Sequence, residues 1–213
     1  MRSLAVIIAC GLLLGAPVET QQRRGSPAKP KPAPPAPMKI EQAKVQCRES
    51  LGAGVQTTAS YCFVLAGRDP AEGVLITIPP HRGEATLLFN LHNRHTYSEQ
   101  DVKAGRAYAK YSAVIGILTM KGDLLGRGAV QSEFRSAKDL FERIGGGAGP
   151  SGVKAVAPIG NETIYITIPA AVTQVSMLGE LLEAHTAIGK ETATPGRPVA
   201  IVSNVRLEYR PLK

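Results

Sequence analysis

Through most of this chain apolar and polar residues alternate with a period of two rather than 3.6, the repeat of a strand and not of a helix. Residues 85–93 place Leu87, Phe89 and Leu91 on one face and Thr86, Asn90 and His92 on the other, as expected of a strand that buries one side. Residues 111–119 carry the β-branched and aromatic side chains of a central strand. Lys121, Gly122 and Asp123 then supply a turn, and Leu124–Phe134 runs back as the second arm of a hairpin. Residues 153–157 and Glu162–Ile168 flank the turn signal Gly160-Asn161 and predict another hairpin. Further strands are expected over 172–178, 180–187 and 199–209, the last two on either side of a Gly/Thr/Pro loop. The run from Gly73 to Pro79 echoes that from Thr163 to Pro169, two strands each ended by a proline that cannot continue a ladder.

Only two stretches carry a helical signal. Residues 97–110 open with Ser98 as an N-cap, followed by Glu99 and Asp101, and residues 136–144 place Leu140, Phe141 and Ile144 at helical spacing. The glycine-rich run 145–152 lacks the Gly-Lys-Ser/Thr ending of a phosphate loop and reads as a contact loop. Eight or nine short strands separated by turn signals predict an all-β domain over 45–213. The expected architecture is an antiparallel β-sandwich, either immunoglobulin-like or jelly-roll.

The N-terminus breaks this pattern. One positive charge, Arg2, precedes an apolar run from Leu4 to Leu14, and the small residues Gly15, Ala16 and Thr20 follow. At eleven residues the run is too short for a bilayer, which needs roughly 20. The three regions of a signal peptide stand in order, so residues 1–20 are expected to be a signal helix, cleaved between Ala16 and Gln22. A core helix would not be followed at once by QQRRGSPAKPKPAPPAP, which holds no large apolar side chain. Residues 21–44 are therefore expected to be a disordered, Pro-rich linker that favours extended polyproline II. The address implied is exported, periplasmic or extracellular, with no transmembrane segment after signal cleavage. A lipid anchor through Cys10 is the alternative, since Ile7-Ile8-Ala9-Cys10 has the local form of a lipoprotein box; it would leave only nine signal residues ahead of the cysteine.

Charge changes the picture less than it first suggests. Residues 1–44 hold seven Lys or Arg against two Glu, a net of +5, so only +3 of the chain's +8 remains for 45–213. The basic pI belongs to the linker, and the domain shows no dense basic stripe with interleaved aromatics, so no nucleic-acid partner is expected. With no Trp, sugar binding on flat aromatic faces is disfavoured.

Candidate chemistry is sparse. His92 and His95 are the weak alternative for a metal site, with Glu99 or Asp101 as a carboxylate ligand in a segment running from His92 to Asp101. On a regular strand residues three apart point to opposite faces, so the pair converges only if the chain turns between them. There is no Gly-x-Ser-x-Gly elbow, and no catalytic residue or cofactor is assigned. The sequence thus leads to a non-catalytic binding or structural module at the cell envelope, with an envelope protein or polymer as partner. An enzyme or metal-binding protein using the His92 to Asp101 loop is the alternative.

Once the signal is removed, Cys47 and Cys62 remain, an even number in an exported chain, and they are expected to form a disulfide. Their spacing is not that of a zinc site, and no His lies between them. The exported protein, denatured without reductant, should show no free thiol; reaction with a thiol reagent under those conditions refutes the bridge.

Overall fold

A computed structural model of the chain describes residues 36–149, 152–156, 162–187, 189–192 and 198–212. The expected signal segment, residues 21–35 of the expected linker and the Gly160-Asn161 turn lie outside the described residues; the rest of the linker expected over 21–44 is not disordered, because residues 39–42 pair with residues 206–209 and Lys44 opens a strand paired with Thr77, so the sandwich begins before residue 45. The described chain is nearly all β, in two antiparallel sheets.

Its strands begin with β1 (Lys39–Gln42), β2 (Lys44–Gln46), β3 (Ser50–Ala53), β4 (Ser60–Leu65), β5 (Val74–Thr77) and β6 (His81–Tyr97). A short helix α1 (Glu99–Lys103) leads to β7 (Ala109–Thr119), β8 (Leu124–Phe134), β9 (Glu142–Gly149) and β10 (Gly152–Val156). The chain continues through β11 (Glu162–Ile168), β12 (Gln174–Thr186), β13 (Gly189–Thr192) and β14 (Pro198–Pro211).

The first sheet runs in the order β3-β4-β14-β6-β10-β9, with β1 beside β14 and β11 beside β6. The second runs β2-β5-β12-β7-β8, with β13 beside β12. Between them lies the main core, where Leu87, Phe89 and Leu91 of β6 meet Ile76, Ile115, Ile117, Val175 and Met177 from the second sheet. The Cys47–Cys62 disulfide is formed, with a Cα–Cα distance of 5.5 Å. Because Cys47 directly follows β2 and Cys62 lies in β4, it ties one sheet to the other.

At one end the first sheet closes on itself. An antiparallel bridge joins Gly54, just past β3, to Ile144 of β9, and Val55 N–H donates to the Arg143 carbonyl at 2.9 Å. The strands β3, β4, β14, β6, β10 and β9 therefore form a ring. Its interior holds a second apolar cluster, Leu51, Tyr61, Phe63, Leu65, Ile144, Val156 and Ile201. β14 serves both clusters because its faces exchange partway along. Ala200 and Val202 point into the sandwich and Ile201 into the ring, whereas beyond the irregularity after Ser203 it is Val205, Leu207 and Tyr209 that face the sandwich. Asn204 makes the exchange with a left-handed φ of 54°, a conformation that Asn tolerates better than most residues.

The β7–β8 hairpin stands where the sequence placed it, with Gly122 at φ 91° in its turn. Other elements differ. Of the hairpin expected from 153–157 and 162–168, the described residues do not pair with each other: β11 pairs with Ala85–Leu91 of β6 and β10 with Arg94–Tyr97, so both line one edge of a strand long enough to take them end to end. The strands expected over 172–178 and 180–187 are one strand, β12, bulged between Gly179 and Leu181. Residues 136–144 are not a helix. A capping box between Ser136 and Asp139 closes a single 3-10 turn, and β9 follows. The glycine run to 149 is strand rather than loop, since backbone pairing needs no side chain.

Candidate functional site

The polar residues that sequence reasoning singled out lie on the second half of β6, and the pleat of that strand decides where each one goes. The segment beginning at His92 is not a loop. It remains strand through Tyr97, after which the Ser98 side chain accepts the Asp101 N–H at 3.2 Å and caps α1.

His92 points into the ring. It is 1% exposed, its Nε2 shares a hydrogen bond with Ser203 Oγ at 3.0 Å, and its ring lies between Phe141 and the edge-on ring of Tyr61. Burial holds its pKa down to about 4, and its Nδ1 is buried without a hydrogen-bond partner. The Tyr61 hydroxyl meets Thr57 Oγ1 at 3.4 Å. Beside Thr57, the buried Glu142 carboxylate accepts the N–H groups of Gln56, Thr57 and Arg143 at 3.1, 2.7 and 3.0 Å. Burial pushes the Glu142 carboxyl up, and these donors outweigh it, so the group sits below its usual range. A side chain on Gly54 would meet the same carboxylate at 2.6 Å, which explains a glycine at the point of ring closure.

His95 points the other way, into the sandwich. Its Nδ1 shares a 2.6 Å hydrogen bond with the Tyr111 hydroxyl, its ring stacks on Phe134 at 4.0 Å, and burial holds its pKa down to about 4. Asn93, on the same face, donates to Ser132 Oγ at 2.8 Å. The histidines do not converge, and the carboxylates proposed to join them are elsewhere: Glu99 pairs with Lys103 at 3.0 Å and Asp101 with Arg106 at 3.1 Å, on the surface. Among the described residues no group of three or more His, Cys, Asp or Glu is placed to hold a metal ion.

Sequence reasoning missed Ser203, Tyr61, Thr57 and Glu142. Ser203 lies 111 residues from His92, and no local pattern links them. The Ser203–His92 separation is that of a nucleophile and its base. Its surroundings are not: Ser203 is 3% exposed, and no carboxylate orients His92 through Nδ1. The network instead seals the interior of the ring.

The chain matches no protein-family model and no curated protein.

The two buried imidazoles make stability depend on pH. An unfolded histidine binds its proton near pH 6.5, whereas His92 and His95 in the folded chain do so near 4. Acid thus favours the unfolded chain below about pH 6.5, with a loss of about 2 kcal/mol per histidine by pH 5. Urea unfolding between pH 7 and 5 should show this fall, and His95→Leu should remove about half of the slope. A pH-independent midpoint in the unmutated protein contradicts it.

Proposed function

We propose that this chain is an exported, non-catalytic β-sandwich module, held on a basic Pro-rich tether and acting by contact with a protein or polymer of the bacterial envelope. The observation that carries this reading is the use made of His92 and His95. They lie on opposite faces of β6, each against an aromatic ring, so the side chains best suited to chemistry serve packing. The Cys47–Cys62 bridge between the sheets supports an oxidising compartment. Contact, unlike catalysis, needs no convergent polar pocket, and the sandwich offers strand edges for it. β8 pairs on one side only among the described residues. Edge pairing draws affinity from the backbone and selectivity from alternate side chains.

Crosslinking in intact cells, followed by mass spectrometry of envelope fractions, tests this function. Recovery of a specific envelope protein or polymer crosslinked to the domain is the expected result. Failure to recover any such partner, together with a stoichiometric metal that is lost in His92→Ala, overturns it in favour of a metal-dependent role.

A further inference from the structure

Strand β11 contains a sequence that reads identically in both directions, Thr163-Ile164-Tyr165-Ile166-Thr167. It pairs in unbroken register with β6 from Ala85 to Leu91, and among the described residues nothing pairs with its other edge. Ile166 and Ile168 are buried, while Thr163, Tyr165 and Thr167 face outward, with Tyr165 at 64% exposure. Free edges are normally blunted by a Lys, a Pro, a bulge or a very short strand. β11 has seven residues, no Lys, Pro or bulge, and a single charge, Glu162, at its first position.

We propose that β11 is a homodimerisation edge whose occupant is the β11 of a second copy of this chain. An antiparallel pair centred on Tyr165 sets Tyr165 opposite Tyr165, Thr163 opposite Thr167 and Ile164 opposite Ile166. The twofold axis stands perpendicular to the sheet, so inner faces meet inner faces and the isoleucines of the two copies adjoin in a continuous core. Such an interface is isologous and closes after two copies.

Charge permits this register. Glu162 is the one charged residue of the strand, and it falls opposite Ile168. The two Glu162 side chains are then about 20 Å apart at ~3.3 Å per residue. On the second sheet, Gly126 and Gly128 lie against Ile166 and Ile164, so Arg127 between them points to the outer face. Arg127 is already neutralised by Glu180 at 2.6 Å. No like charge meets its own copy unpaired at the axis.

The register makes the test specific. The purified protein should sediment as a concentration-dependent dimer, and Tyr165→Lys should weaken association at least tenfold with an unchanged circular dichroism spectrum. With a two-carbon bismaleimide, Tyr165→Cys should link to itself. Thr163→Cys should link only when mixed with Thr167→Cys, because two copies of Thr163 stand about 13 Å apart. A monomer at all concentrations overturns the proposal. So does an open-ended polymer, or self-linking of Thr163→Cys as fast as that of Tyr165→Cys.

Discussion

The pleat of β6 is the constraint on which the rest of the structure depends. Over His81–Tyr97 successive side chains go to opposite sides of one strand: from Ala85 on one side is buried along its length, whereas the other is largely open to solvent and turns inward at His92. Leu87, Phe89 and Leu91 fill the sandwich, followed on the same face by Asn93 and His95 against the second sheet. On the opposite face His92 enters the ring. Both edges of the strand are used as well, by β14 along one side and by β11 and β10 in succession along the other. A one-residue slip of β6 would send the apolar set to the wrong side and expose two neutral imidazoles to each other's environments.

Two devices hold the ends of this arrangement. The disulfide joins the start of the domain to β4 and, for a loop of this size, is worth about 3 kcal/mol in the chain-entropy model. Glu142 gathers three backbone N–H groups from the chain that closes the ring, a task suited to a buried carboxylate because each charged hydrogen bond contributes roughly 1.5–3 kcal/mol. The asymmetry of the fold follows. Among the described residues β8 and β11 each keep one edge unpaired, whereas the first sheet is curled and closed where Gly54 meets Ile144.

Much of the fold was legible because burial on one face writes itself into the sequence. Residues 85–93 are strand for the reason their alternation states, residues 111–119 for their β-branched and aromatic content and Leu124–Phe134 as the return arm after the Lys121–Asp123 turn, and Ser98 caps α1 as its side chain requires. The divergence of His92 and His95 was legible in the same way, from their odd separation on a strand. What escaped was whatever the period of two does not encode. A glycine run has no side chains to alternate, so β9 read as a loop. Leu140, Phe141 and Ile144 fit a helical face by spacing alone, but Leu140 and Phe141 follow a 3-10 turn and Ile144 already lies in β9. The adjacency of Gly160-Asn161 suggested a hairpin, whereas the length of β6 decided that β10 and β11 should each pair with it. The partners of His92 were illegible because strand order, not local sequence, brings Ser203 and Tyr61 beside it. The echo between 73–79 and 163–169 marks a shared strand chemistry rather than equivalent places: β5 lies between β2 and β12, and β11 is at an edge.

If β6 binds the sandwich and the ring into one cooperative unit, its two halves must open together. Native-state hydrogen exchange resolved by residue tests this most directly. The amides of residues 85–91 and 92–97 should exchange only through global unfolding, with the same free energy and the same denaturant dependence. Exchange of 92–97 through a separate, lower-energy opening that leaves 85–91 protected would contradict the account.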